Sequence, residues 1–433
     1  MNYIPNILFA IALIVGIGYF AKNVKKLIRN IKLGHDVDVS DNTSQRWKNM
    51  AMIALGQSKM VKRPIAGFLH IIVYVGFIII NIEVLEIIID GLAGTHRIFS
   101  GIGPLYGVLI GAFEVLALLV FVSVIIFWLR RNAIKIKRFW SKEMTAWPKN
   151  DANYILYIEM ALMLLFLVMN ATDLKFQAMN NGNVISQFIA PLFSGLSEGT
   201  IHIIERSAWW MHILGILGFL NYLYFSKHLH ILLAFPNTYY GKVKPKGELD
   251  NLASVTAEVK LMMDPNVDPF AAQPESTEAP AKFGASDVQD LNWVQLLNAY
   301  TCTECGRCTS ECPANQTGKK LSPRKIMMDT RDRLEEVGKN IDANGGTFKE
   351  DGKQLLDDYI TREELWACTT CNACTEACPV SIDPLSIIMD MRRYLVMEQS
   401  AAPMELNNMM TNVENNGAPW PYNQMDRLNW KNE

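Results

Sequence analysis

The chain has 433 residues, enough for two or three domains, and half of them are apolar. Its 41 basic and 43 acidic residues leave a net charge of −2, which excludes the global basic signature of a nucleic-acid binder. All 8 cysteines fall between Cys302 and Cys378, away from the apolar half, a distribution unlike that of a disulfide scaffold and suited to thiolate metal ligation in a reducing compartment.

Five apolar stretches are long enough to cross a bilayer about 30 Å thick. They run near Ile4–Phe20, Ile65–Ile89, Leu105–Leu129, Tyr154–Ala171 and Ala208–Phe235. The first lacks a basic n-region and a small-residue cleavage site, and Lys22, Lys25, Lys26 and Arg29 follow it, so it reads as an anchor and not a signal peptide. Lysine and arginine crowd the segment between spans one and two, from Lys22 to Arg63, and that between spans three and four, from Arg130 to Lys149. The other two connections hold only Arg97, then Lys175 and Arg206. The basic segments are therefore expected to face the cytoplasm, with the N-terminus outside and the C-terminal half inside.

Four histidines fall in spans two and five: His70, His212, His228 and His230. A b-type haem between two membrane helices needs an imidazole from each at matching depth. His70 follows Pro64 by six residues and His230 precedes Pro236 by six. If the prolines mark helix ends, both rings lie roughly 9 Å deep and can share one iron. His212, five turns from His230 in an unbroken helix, would sit near the outer surface at a second haem, with His96 or His202 as the available partner. His228 is expected to point elsewhere, at the interface beside Lys227. The bland alternative is that these histidines only pack or sit at the interface. Glu83, Glu86, Glu114, Glu159 and Glu205 are candidates for proton uptake near a quinone, or merely for helix ends.

From about Lys242 to Asp290, Asp264-Pro265, Asp268-Pro269, Gln273-Pro274 and Ala279-Pro280 preclude a long helix, and Glu275 to Glu278 add solvated polarity, as in an extended tether. Two repeats follow. Cys302, Cys305, Cys308 and Cys312-Pro313 form a C-x2-C-x2-C-x3-C-P run, and Cys368, Cys371, Cys374 and Cys378-Pro379 form another. In such runs three thiolates wrap one [4Fe–4S] cubane and the fourth reaches the other. One cluster is thus assigned to Cys302, Cys305, Cys308 and Cys378, the second to Cys368, Cys371, Cys374 and Cys312. Zinc sites usually use pairs of ligands instead of duplicated four-cysteine runs. The 56 residues from Cys312 to Cys368 carry helical apolar spacing, so this domain is expected to be mostly helical.

His70, Trp209-Trp210-Met211-His212 and Ser226 to His230 together resemble the five-helix cytochrome b subunits related to the gamma subunit of respiratory nitrate reductase. Trp293, Leu296-Leu297, the CTECGRC segment and Leu365-Trp366-Ala-Cys368 resemble the dicluster subunit of heterodisulfide reductase. The double resemblance implies electron exchange between haem or quinone in the membrane and a cytoplasmic redox partner. Many relatives continue into a cysteine-rich CCG domain, whereas here no cysteine follows Cys378, so that chemistry is expected on a separate CCG-domain or flavin subunit. Trp420, Arg427 and Trp430 in the tail are the expected docking surface.

The expectation is an all-α chain. Residues 1–240 form a five-transmembrane-helix bundle, 241–290 a linker, 291–398 a cytoplasmic α-helical dicluster ferredoxin domain, and 399–433 a docking tail. Its role is electron transfer in a prokaryotic plasma membrane, through two [4Fe–4S] clusters and one or two haem b to quinone. The competing reading is a haem-free membrane anchor whose clusters serve soluble partners. Gly101-x-Gly103 precedes a span instead of following a strand, so it is not a nucleotide loop.

Overall fold

The computed structural model describes residues 3–266 and 282–432. The predicted tether prolines Pro269, Pro274 and Pro280 lie outside the described residues. Among these residues the chain is helical, with no β-strand beyond the isolated bridges His35–Asn292 and Leu356–Ile360.

Four helices are each long and apolar enough to cross a bilayer: α1 (Ile4–Ile31), α2 (Pro64–Ala93), α3 (Pro104–Asn132) and α4 (Trp147–Thr172). Proline stands in the first turn of all four, where its missing N–H costs nothing and its fixed φ suits the helix. Their outer faces stay apolar while exposed, with Phe68 at 66%, Leu105 at 68% and Val108 at 70%. Helices hydrophobic on every side belong in lipid. Between them Phe9, Ile80, Phe113, Phe166 and Ile213 close a common core with α5 (Glu198–Leu223).

The fifth span is not one helix. It breaks after Leu223 and turns by 91° into a short segment from Lys227 to Tyr240, which includes α6 (His230–Tyr240). Ser226 is extended and its hydroxyl accepts the His228 N–H, restarting the chain as an N-cap. Buried Asp151 on α4 accepts the Tyr222 hydroxyl at 2.6 Å and the Lys227 N–H at 3.1 Å, pinning both sides of the bend. Two expectations change. Pro236 lies inside α6 and marks no helix end, and His212 and His230 no longer share a continuous helical face.

The helix α7 (Ala253–Met263) occupies part of the stretch expected to be an extended tether. The C-terminal half packs α8 (Trp293–Thr301), α9 (Arg307–Glu311), α10 (Pro323–Ala343), α11 (Ala373–Ala377) and α12 (Pro384–Met397) around a second core. Asn292 and Gln295 form a capping box at the start of α8. This core takes in Leu27 from α1 and Leu229 from the bend, so the two halves share buried surface. Asn30 donates to the Tyr300 hydroxyl, Arg63 reaches Ser310 and Glu311, and Arg324 donates to the Arg138 carbonyl. Both basic loops therefore lie against the cysteine-rich domain. The last helix, α13 (Met404–Asn416), and the segment beyond it are exposed, with Trp430 at 72%.

Replacing Asp151 with leucine leaves the Tyr222 hydroxyl and the Lys227 amide without their acceptor. The variant is expected to lose on the order of 2 kcal/mol of stability. Thermal unfolding of the purified protein in detergent measures the loss, and Asp151→Asn should restore most of it.

Candidate iron–sulfur and histidine sites

The two cysteine runs fold alike. In the first, Glu304 and Gly306 have φ of 52° and 69°; in the second, Thr370 and Asn372, at the same offsets, have 55° and 58°. Both fourth cysteines end a short helix in nearly the same conformation, Cys312 at φ −74°, ψ 119° and Cys378 at φ −71°, ψ 123°. Two left-handed residues per loop turn the chain back on itself within each run. Gly306 takes this conformation freely, and a side chain there would strike the Arg324 guanidinium.

All eight cysteines are free, and α9 of the first run packs against α11 of the second. Cys378 interacts electrostatically with Cys305 and Cys308, while Cys312 interacts with Cys368. Each fourth cysteine thus has a cysteine of the other run among its neighbours. Among the described residues no three His, Cys, Asp or Glu side chains converge on a single-ion site. A zinc site needs that convergence, whereas a cubane presents a separate iron to each thiolate.

Burial pushes the Cys302 and Cys374 thiols up to about 12 and that of Cys378 to about 11. Ionising them needs nearby positive charge, which a metal centre supplies. Arg331 beside Cys302, Lys59 beside Cys378 and Arg392 beside Cys368 add fixed cations. These observations fit a pair of cubanes.

Glu304, inside the first run and 4% exposed, faces the membrane half. Lys227 from the bend and Arg331 from α10 both pair with it. Burial would push its carboxyl up, yet the two cations hold it below the usual carboxylate range. Sequence reasoning missed this contact because Lys227 and Glu304 are 77 residues apart.

The rings of His70 and His230 face each other with centroids 6.4 Å apart and planes tilted by 41°. The Lys227 carbonyl lies 3.1 Å from His230 Nδ1, and His70 Nδ1 is buried without a hydrogen-bond partner. His228 does not point away as expected. Its ring is 5.4 Å from that of His230, and its Nε2 is 3.7 Å from Glu159. The 91° turn places it there. His212 is 1% exposed, with Nδ1 3.0 Å from the Leu162 carbonyl and Nε2 buried without a partner. Its suggested partners are otherwise engaged, His96 with Asp173 at 3.0 Å and His202 near Glu205 at 3.8 Å.

Residues 301–382 match the family signature of the 4Fe-4S dicluster domain. The chain is 29% identical to the Bacillus subtilis "Probable iron-sulfur-binding oxidoreductase FadF" over 99% of its own length and 61% of that protein. It is 24% identical to the "EtfAB:quinone oxidoreductase" of Syntrophomonas wolfei, over 92% of this chain and 55% of that one. A shorter match, 35% identical over 25% of this chain and 52% of the other, is to one of the subunits of the "Ferredoxin/F(420)H(2)-dependent CoB-CoM heterodisulfide reductase" of Methanosarcina acetivorans. The chain thus spans less than two thirds of the length of each. No solved structure matches it. The chain carries a domain for two [4Fe–4S] clusters and is similar along its length to iron–sulfur oxidoreductases.

Once the iron is chelated away, a thiol at about 11 is roughly one-thousandth ionised at pH 8, against about a quarter for an ordinary thiol near 8.5. Iodoacetamide is therefore expected to modify Cys378 and Cys302 more than about a hundredfold more slowly than it modifies a free thiol in solution, with rates for the pair rising about tenfold per pH unit. Peptide mapping of the alkylated protein reads both quantities.

Proposed function

We propose that this chain carries electrons between a cytoplasmic redox subunit and the quinone pool. The observation that carries the reading is the docking of the duplicated cysteine domain on the end of the bundle that holds the facing pair His70 and His230. The word quinone in the name of the Syntrophomonas wolfei relative, and the resemblance to nitrate reductase gamma-type subunits, point the same way.

In this reading residues 1–240 are the membrane domain, 241–290 the linker, 291–398 the ferredoxin domain and 399–433 a docking segment for a CCG-domain or flavin partner. Cys302, Cys305, Cys308 and Cys378 hold one cluster; Cys368, Cys371, Cys374 and Cys312 hold the other. His70 and His230 would hold a haem b between them, and His212 would hold a second. When bound, these groups supply reversible one-electron carriage, the first nearer the partner and the haem nearer the lipid.

The protein residues set the conditions for that carriage. Acceptance of the His230 Nδ1 proton by the Lys227 carbonyl leaves Nε2 unprotonated and free to act as a ligand. For His212, the Leu162 carbonyl does the same. Arg307, between Cys305 and Cys308, donates to the carbonyls of Lys59 and Met60 at 3.1 and 3.2 Å. It ties the first cysteine loop to the residues leading into α2, the helix that carries His70. The lysine-rich loops against the cysteine domain support a cytoplasmic position for that domain by the positive-inside rule, with the N-terminus outside.

Anaerobically prepared protein should contain about eight irons in acid-labile clusters, plus haem iron. Its reduced spectrum should show sharp cytochrome bands that disappear in His70→Ala and His230→Ala while the cluster EPR signals persist. A spectrum without those bands leaves the haem-free anchor as the surviving account. Cys378→Ser should perturb the first cluster's signal and spare the second, and damage confined to the second would show the crossed assignment to be wrong.

A further inference from the structure

At the end of the bundle away from the cysteine domain, α1, α2 and α5 enclose a cavity of about 340 Å³. That volume lies in the range of small-molecule sites. One wall is aromatic: Phe9, Trp209 and Trp210 lie within 5.2 to 5.9 Å of one another, ring centre to ring centre. Phe9 reaches its place because Gly91 faces it, where a Cβ would come within 2.5 Å of the ring. The opposite wall is the acidic face of α2, where Glu83, Glu86 and Asp90 recur at helical spacing.

Most of the charge here is already used. Glu86 accepts the Phe99 N–H at 2.8 Å and the Tyr106 hydroxyl at 3.0 Å. Asp90 accepts the Arg97 and Ile98 amides. Asp173 pairs with Arg97 and His96, and Glu205 with Arg206. Glu83 is the exception. It is 2% exposed, lines the cavity, and its Oε2 is buried with no hydrogen-bond partner. Glu83 and Glu86 also share a side-chain hydrogen bond, which needs a proton on one of the two; with Glu83 carrying it and the other charges satisfying one another, neither an anion nor a cation finds a free counter-charge. What remains is flat aromatic surface and one carboxyl oxygen, the complement of a neutral ring that bears oxygen.

We propose that this cavity binds the ring of a lipid-soluble quinone, with Glu83 bonded to a ring oxygen and Phe9, Trp209 and Trp210 against its faces. The proposal rests on the quinone-linked reading above and locates its site. His212 lies one turn beyond Trp209 on α5, with its free Nε2 buried in the bundle. In the reducing direction the ring gains two electrons, delivered singly from the reduced iron–sulfur clusters of the same chain. Each carbonyl oxygen gains one proton and becomes a hydroxyl. Glu83 hands its proton to the oxygen it bonds and is recharged from water at that end of the bundle, the opposite oxygen takes its proton from water at the cavity mouth, and in the oxidising direction every transfer reverses.

The test uses the full chain with its clusters, in lipid nanodiscs, reduced stoichiometrically and mixed with decylubiquinone. Reoxidation of the clusters should saturate with quinone. Glu83→Leu and Trp210→Leu should each raise the half-saturating concentration about tenfold or more, with unchanged cluster EPR signals. Glu83→Gln keeps a hydrogen-bonding group but no transferable proton, so it should hold near the original half-saturation and lower the limiting rate about a hundredfold. Wild-type half-saturation in both leucine variants overturns the site. Labelling of the unaltered protein with a photoactivated azidoquinone needs no variant: modification of the Phe9 or Trp209–Trp210 peptides supports the site, and modification confined to the His70 peptide overturns it. If the unaltered protein is not reoxidised by quinone at all, the quinone-linked function itself fails.

Discussion

The contact on which the most elements converge between the two halves of this protein is a carboxylate within the first cysteine loop, buried against the membrane half. A buried carboxylate is tolerated when it is paired and hydrogen-bonded on several sides. Glu304 meets that condition through Lys227 from the bend and Arg331 from its own domain. Lys227 in turn lies 2.6 Å from the Pro148 carbonyl and 3.7 Å from Asp151. One chain of charge thus runs from α4 through the bend into the cysteine loop. The same bend carries His228 and His230, so docking of the domain and placement of the imidazoles share one structural cause.

That cause explains which parts could be read from the sequence. The first four spans were legible because their apolar runs are long and proline marks where they start, and the structure extends each by a few residues into polar flanks. The cysteine runs were legible because their spacing is itself the chemistry. The break in the fifth span was hidden. Residues 208–235 are apolar enough for one helix, and what interrupts them is a hydrogen-bond acceptor on another helix, Asp151, more than 70 residues away in sequence. From that single miss followed the misjudged position of His228 and the false helical phase between His212 and His230. The encounter of His70 with His230 was foreseen, although one of the two prolines used to argue it ends no helix.

The charged end of the bundle shows a different limit. Individual glutamates in α2 and α5 were visible as unusual membrane residues, but sequence does not reveal which acids already have partners. Arg97, φ +52° in the loop between α2 and α3, collects Asp173, Asn170 and Tyr106. Only with that network in place does Glu83 stand out. What sets Glu83 apart from the other acids is one carboxyl oxygen left without a partner.

The interleaving of the cysteine runs also bears on how the domain is made. Cys378 lies with thiols that leave the ribosome some 70 residues earlier. A nascent chain that has emerged only as far as Gly338 or Tyr359 offers an incomplete grip for the metal, with buried thiols that resist ionisation. With the crossed ligation proposed above, the first cluster gains its fourth ligand only once Cys378 has been made, so its loading is completed late.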